Sequence, residues 1–193
     1  MNVALRRTMT LEQFLPWEER QELRFEFDGF GPVGIAGGTA AHAAIQRNLI
    51  TALANRLRGK PCQVYGSELK IEVVGRIRYP DAFVVCTPVA TRATVVREPL
   101  VVFEILSDST AGTDLITKNA EYQATPSVQR YVVLQQDGAA CMVFSHRHGE
   151  WATDLLVGPE AVLAMPEIGI EVPLAEIYDG IEFPEAAERE EAD

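Results

Sequence analysis

The stretch RYPDAFVV at residues 78–85 decides the fold together with the segment LVVFEILS at residues 100–107. Each segment is typical of an apolar strand, and each carries one carboxylate, Asp81 in the first and Glu104 in the second. Pro80 has no amide hydrogen to donate, so it is expected at the first position of a strand or on a sheet edge. If the two strands are antiparallel neighbours, the start of one lies beside the end of the other. Both carboxylates then converge at one edge of the sheet.

Glu104 interrupts a run of β-branched and apolar residues that predicts a strand covered on both faces. An ionised carboxylate in such a place costs several kcal/mol unless it is paired or bound to a metal ion. One explanation is a buried pair with an arginine such as Arg78. The other is a cation that Glu104 shares with Asp81.

A helix is predicted over residues 109–124, and a further apolar strand over residues 130–135. A strand, a helix and a second strand form a β-α-β unit, so the strands at 100–106 and 130–135 are predicted to be parallel. The sheet is therefore expected to be mixed. The helix carries Asp114, Lys118 and Tyr122, and Lys118 either serves the site or pairs with Asp114 one turn earlier.

The two acids provide hard oxygen ligands, which suit Mg²⁺ or Mn²⁺ rather than zinc. Such a cation polarises a phosphodiester and lowers the pKa of a bound water. Lys118 is positioned along the chain to orient or deprotonate that water, or to neutralise charge on phosphate oxygens. The pattern predicts a divalent-metal phosphodiesterase site with Asp81, Glu104 and Lys118 as its catalytic residues.

Four other side chains are candidate contributors to this site, each with an ordinary structural alternative: Glu26, His42, Glu68 and Asp114. Glu26 belongs to an alternating strand at residues 23–27, which forms a hairpin with residues 33–36, and it is predicted to face solvent. His42 flanks the apolar stripe of a helix that Thr39 caps and that runs to about residue 58, so it either packs or contributes beside the sheet. Glu68 alternates within a strand. Gly37 and Gly38 are interpreted as a flexible start of the helix.

The remaining elements are predicted from the same periodicities. A short helix follows Thr10 and ends near Pro16. Residues 62–65 and 68–73 form one strand kinked at Gly66, and residues 77–86 form the next. A meander follows at residues 139–145 and 150–157, and a short helix at residues 173–178.

Length and composition bound the class of protein. The 193 residues predict one domain over residues 1–183 and an acidic, frayed tail over residues 184–193. No apolar run approaches the roughly 18 residues of a membrane span, and a cytoplasmic protein is expected. Three widely spaced cysteines predict reduced, buried thiols. The net charge of −11 argues against a passive DNA-coating protein, so a nucleic-acid substrate requires a local basic patch and metal ions.

The ordered series of motifs resembles the Uma-two family of restriction-endonuclease-like proteins, a branch of the PD-(D/E)XK nuclease superfamily. The resemblance is carried by YPD at 79–81, FEILSDST at 103–110, Asp114, Lys118 and Tyr122, and extends to FEFDG at 25–29, AGGT at 36–39 with His42, PCQVYGSE at 61–68 and PSVQRY at 126–131. It implies a restriction-endonuclease-like core of the α/β (α+β) class, a mixed central β-sheet flanked by helices. It also implies Asp81 and Glu104 as metal ligands, Lys118 as the catalytic lysine, DNA as substrate and a homodimer.

One departure from the superfamily pattern concerns the lysine. The position two residues after the strand glutamate holds Leu106, so Lys118 on the following helix has to supply the cation. The sequence as a whole predicts a Mg²⁺-dependent endonuclease acting on DNA. The alternatives are a binding or regulatory module of the same fold without turnover, and a structural or interaction protein with Glu104 in a buried ion pair.

Overall fold

The computed structural model describes residues 8–35, 37–106 and 112–183, and gives only the backbone of Asp114. The predicted tail at 184–193 and the predicted start of the helix at 109–111 lie outside these ranges. The helices are α1 Leu11–Glu18, α2 Ala40–Leu57, α3 Asn119–Gln123 and α4 Leu174–Ile177, with a π-helical segment Thr113–Lys118 leading directly into α3. The strands are β1 Phe25–Phe27, β2 Pro32–Gly34, β3 Gln63–Gly66, β4 Lys70–Val73, β5 Arg76–Arg78, β6 Ala82–Val85, β7 Val95–Val96, β8 Val101–Ile105, β9 Arg130–Leu134, β10 Ala140–Arg147, β11 Glu150–Val157, β12 Val162–Met165 and β13 Ile170–Pro173.

The central sheet has six strands in the order β11-β10-β9-β8-β6-β3. Its β8–β9 pair is parallel, and its other pairs are antiparallel. The predicted mixed sheet, the parallel crossover and the β10–β11 meander are therefore confirmed. Every residue of β8 is buried, as expected for a strand covered on both faces.

Alternate residues of the central strands enter two separate cores. On one face, Ala82 and Phe103 pack with the α2 stripe, whose members Ile45, Leu49, Leu53 and Leu57 are buried as predicted. On the other face, Phe83 and Val102 pack with α3 and β9 through Tyr122 and Tyr131. The helix α2 begins after Thr39, whose hydroxyl accepts the His42 N–H at 3.1 Å. This cap fixes the end of α2 that lies nearest the candidate site.

A second sheet of five strands, in the order β2-β1-β5-β4-β7, corrects two strand predictions. Residues 62–73 do not form one kinked strand, because β3 belongs to the central sheet and β4 to the second one. Residues 77–86 are likewise divided between β5 and β6. The chain changes sheet where Leu69 N–H closes a turn onto the Gly66 carbonyl at 3.2 Å, and again at Pro80, which has no amide for a ladder. The predicted β1–β2 hairpin is confirmed, and α1 continues past Pro16 to Glu18.

The cysteine prediction is wrong for two of the three residues. Cys62 and Cys86 form a disulfide, while Cys141 is a buried free thiol whose pKa burial raises to about 12. The pairing follows from register: Gln63 faces Val85 across β3 and β6, so Cys62 and Cys86 occupy the next facing positions. Sequence spacing alone does not contain this register. None of the helices within the described ranges is sufficiently long and apolar to cross a membrane.

Candidate active site

Asp81 and Glu104 occupy facing positions where the β6–β8 pair ends in the central sheet. The antiparallel β6–β8 register pairs Ala82 with Phe103, and continuing it by one step sets Asp81 opposite Glu104. The Asp81 carboxylate reaches the facing strand, because its Oδ2 accepts the Ile105 N–H at 2.7 Å. The prediction that these two strands are antiparallel neighbours is therefore confirmed.

The N-terminal part of α2 holds Asp81 from the other side. His42 Nε2 lies 3.2 Å from Asp81 Oδ2, and Gln46 Nε2 donates to the Asp81 backbone carbonyl at 2.8 Å and to Ser67 Oγ at 3.0 Å. A Cβ on Gly38 would lie 3.0 Å from the His42 ring, so glycine lets the chain pass directly over the imidazole. Gly38 thus has a packing role beyond the flexible helix start that the sequence suggested.

Glu104 is buried, with 4% of its surface exposed, and it is paired with a lysine rather than an arginine. Lys118 Nζ lies 2.9 Å from Glu104 Oε1, and the Tyr122 hydroxyl donates to the same oxygen at 2.9 Å. Burial and the neighbouring Glu104 charge hold the pKa of Tyr122 well above its usual value, so the hydroxyl stays a donor. The alternative of a Glu104–Arg78 pair is wrong. The alternative Lys118–Asp114 pair involves a side chain outside the described part of the chain.

Glu26 does not face solvent, which corrects the sequence prediction. Its side chain is 12% exposed, and its Oε1 accepts the Tyr79 N–H at 3.1 Å and lies 3.6 Å from Lys118 Nζ. Its Oε2 accepts from Arg78 at 3.0 Å. The side chains of β1 alternate as predicted, but the second sheet turns the Glu26 side of β1 toward the helix that carries Lys118. Lys118 therefore lies between two carboxylates from different sheets.

Arg78 completes this buried network. Its guanidinium makes two hydrogen bonds to Glu121 on α3, both 2.7 Å, besides the bond to Glu26. Burial alone would lower the pKa of Arg78, but its hydrogen bonds to Glu121 and the charge of Glu26 raise it above the usual value. Arg78 stays charged and ties β5 to the helix that presents Lys118. Arg78 thus pairs with Glu26 and Glu121 and not with Glu104, because the chain leaves the second sheet after β5 and Arg78 does not belong to the same strand as Asp81.

Glu68 lies apart from this arrangement. Its side chain is 83% exposed and pairs with Arg24. None of its described contacts joins it to Asp81 or Glu104. By contrast, Tyr122 contacts Glu104 although no role was predicted for it. Its position four residues after Lys118 is the signal that could have identified it, since such residues share a helix face.

A cavity of about 480 Å³ opens beside Asp81. Its wall is formed by the loop before β1, the chain before α2, the first turns of α2 and the link between β5 and β6, including Leu23, Arg24, Ile35, His42, Tyr79 and Asp81. A small polar ligand can therefore approach the Asp81 carboxylate from solvent.

The donor chemistry at this edge fits a hard divalent cation. Asp81 and Glu104 are carboxylates on facing positions, and the described side-chain contacts of Asp81 use Oδ2, so Oδ1 is the oxygen that could bind a metal ion. No group of three or more His, Cys, Asp or Glu within the described residues has the arrangement of a metal site. Two carboxylates suffice for magnesium, which commonly completes its shell with waters and substrate phosphate oxygens.

A mixed sheet that presents two facing carboxylates at its edge, with a lysine from the crossover helix, defines the restriction-endonuclease-like class of α+β folds. Residues 11–175 match the model of the Uma2 family, described as "Putative restriction endonuclease". The chain belongs to this family.

Two proteins and one solved structure are similar to this chain over most of its length. The protein slr1290 of Synechocystis sp. is 31% identical over 179 residues, which cover 89% of this chain and 92% of that protein. The protein sll1609 of the same organism is 28% identical over 141 residues, 70% of this chain and 80% of the relative. A crystal structure of an Anabaena variabilis protein, described as a "putative nuclease belonging to DUF820", superposes with a TM-score of 0.75 at 18% identity. The superposition covers 90% of this chain and 99% of the Anabaena chain, and it supports the fold.

Proposed function

We propose that the protein is a Mg²⁺- or Mn²⁺-dependent endonuclease that hydrolyses phosphodiester bonds in DNA. The observation that carries the proposal is the facing pair Asp81 and Glu104 with Lys118 Nζ 2.9 Å from Glu104. Membership of the Uma2 family supports the reaction class. In this proposal Asp81 and Glu104 are the metal ligands, and Asp81, Glu104 and Lys118 are the catalytic residues.

When bound, the divalent cation would polarise the phosphodiester and lower the pKa of a water molecule. The chain's own residues have separate tasks. His42 and the Ile105 N–H fix the orientation of the Asp81 carboxylate through Oδ2. Tyr122 and Lys118 both donate to Glu104 Oε1 and so compensate a negative charge inside an otherwise apolar strand. Lys118 brings a positive charge and donor hydrogens to the place where the phosphate becomes more negative.

Glu26 and Glu121 support this arrangement indirectly. Glu26 approaches Lys118 from the second sheet, and Glu121 fixes α3 through Arg78. Their contacts position the lysine relative to Glu104. Asp114 and Glu68 have no assigned task in this mechanism.

A cleavage assay on plasmid and on single-stranded DNA in Mg²⁺ tests turnover. We expect Asp81→Asn, Glu104→Gln and Lys118→Met each to lower the rate about a hundredfold or more, as loss of a ligand or a charge-stabilising group does. Glu171→Gln is the matched control, because Glu171 is an exposed acid on β13 and should leave the rate unchanged. If the three site variants keep the native cleavage rate, Asp81, Glu104 and Lys118 are not the catalytic residues.

A binding or regulatory module without turnover is the second candidate. The observation in its favour is that Glu104 and Lys118 are mutually paired and only 4% and 7% exposed. Calorimetric titration with Mg²⁺ separates the candidates further: the nuclease requires binding that Asp81→Asn abolishes. Absence of metal binding in the native protein would favour the module or a structural protein.

The proposal also includes a homodimer, which the sequence resemblance supports, and a cytoplasmic location, which is the expectation from the sequence. The Cys62–Cys86 disulfide is the observation against a permanently reducing compartment. Light scattering coupled to size-exclusion chromatography tests the dimer. A mass of about one chain at micromolar concentration would contradict it.

A further inference from the structure

The cavity beside Asp81 has the dimensions of a small-molecule site. Its volume of about 480 Å³ lies within the roughly 300 to 1,000 Å³ of ligand pockets. It reaches from the Asp81 carboxylate to the loop before β1. The space therefore suits a single nucleotide unit rather than a length of duplex.

Two large apolar side chains in its wall are open to solvent. Leu23 is 73% exposed and Ile35 is 45% exposed. They are held close to Arg24, because the Ile35 N–H donates to the Arg24 carbonyl at 3.5 Å. Flipped or unpaired bases bury their faces against apolar and aromatic side chains of this kind.

The described part of the wall carries one arginine, Arg24, and the carboxylates of Glu22 and Asp81, so a phosphate group would be held at Arg24 and, through the proposed metal ion, at Asp81. Among the described lining residues, Arg24 is the one arginine or lysine, and its side chain is 44% exposed. Its guanidinium lies 6.0 Å from the centre of the Tyr79 ring and donates to the Ser67 carbonyl at 3.0 Å. Its acidic partner Glu68 is 83% exposed, so water weakens that pair. Proteins that hold duplex DNA instead neutralise many phosphates with many cations.

From this wall we infer that the cavity binds one unstacked nucleotide, with its base against Leu23 and Ile35 and its phosphate between Arg24 and the Asp81 edge. The inference rests on the proposed nuclease function and narrows its substrate to single-stranded or locally unpaired nucleic acid.

Deoxyadenosine 5′-monophosphate is the direct probe, because it has no phosphodiester bond to cleave and its binding is independent of turnover. Calorimetry in Mg²⁺ should show that it binds about tenfold more tightly than inorganic phosphate, the gain expected from one stacked base. Leu23→Ser and Ile35→Ser should each weaken nucleotide binding several-fold and leave phosphate binding unchanged. Leu155→Ser is the matched control, since Leu155 on β11 is 61% exposed and outside the cavity wall.

Equal affinity for the nucleotide and for inorganic phosphate would overturn the inference, and so would nucleotide binding that Leu23→Ser and Ile35→Ser leave unchanged. Competition tests the substrate class: a 12-nucleotide single strand should displace the bound nucleotide, while a blunt-ended duplex of that strand with its complement should not. Equal displacement by both would contradict an unpaired substrate. The expected binding pattern in a protein that cleaves no nucleic acid would support this site while refuting the proposed catalysis.

Discussion

Replacing Arg78 by methionine should destabilise the fold strongly. The guanidinium is 3% exposed and makes three hydrogen bonds, two to Glu121 at 2.7 Å and one to Glu26 at 3.0 Å. Removing one partner of a buried pair typically costs about 3 to 5 kcal/mol, because it leaves a carboxylate without compensation. Here Arg76 still lies 2.9 Å from Glu121, and Lys118 lies 3.6 Å from Glu26. The expected loss is therefore at the lower end, about 3 kcal/mol.

Urea unfolding followed by circular dichroism measures this loss, with the disulfide kept oxidised in every sample. A loss of about 3 kcal/mol also corresponds to a fall of roughly 6 to 12 °C in Tm for a chain of this size. Arg97→Met is the matched control, since Arg97 pairs with Glu72 at 2.9 Å but is 65% exposed. An exposed pair of this kind contributes at most about 1 kcal/mol.

Comparing Arg78→Lys with Arg78→Met separates the effect of losing the positive charge from the effect of losing the two-pronged hydrogen bonding. Arg78→Lys keeps a cation but cannot reproduce the two-pronged contact with Glu121, so we expect a stability between those of the native protein and Arg78→Met. If Arg78→Met unfolds at the same urea concentration as Arg97→Met, the buried network does not stabilise the fold as argued.

Two further predictions concern the disulfide and a surface ion pair. Thiol titration of the unreduced protein under denaturing conditions should find one free thiol, that of Cys141, and reduction should expose two more. Because Cys62 and Cys86 are 24 residues apart, reducing their disulfide should lower the free energy of unfolding by roughly 3 kcal/mol. Three free thiols without reductant would refute the pairing. The Arg56 hydrogen bond lowers the pKa of Glu176, so this contact stabilises the fold above the unfolded pKa and is lost as pH falls through the folded value. Carbon-detected NMR should show the Glu176 pKa rising in Arg56→Met, and an unchanged value would contradict the contact.

The sequence predicted the part of the fold that depends on neighbouring segments. Apolar periodicity predicts the neighbouring strands β6 and β8, the parallel crossover to β9 and the buried stripe of α2. The sequence does not predict that β3 and β6 belong to the central sheet while β4 and β5 belong to the second one. The strand pattern continues through the turns near Gly66 and Pro80, although the hydrogen-bond partners change there. Periodicity reports which residues are buried, but not which strand lies alongside.

At the candidate site, too, burial could be predicted from the sequence but the contacting residues could not. Burial energetics alone indicates that Glu104 needs a partner, but it does not identify Lys118 and Tyr122 as the residues that contact it. Its observed contacts with Lys118 and Tyr122 depend on how the crossover helix lies over the sheet. The inward position of Glu26 depends on a second sheet that its own three-residue strand does not reveal. Contacts between distant elements were therefore the unpredictable part.

The three-residue link from Arg78 to Ala82 joins the second sheet to the central one and carries Asp81 within it. Short strands with few partners open at lower free energy than a six-stranded core. We therefore expect the amides around Asp81 to exchange with deuterium at the rate of the small sheet rather than at that of β8 and β9. Catalytic competence would then be lost on mild heating while most of the molecule stays protected from exchange.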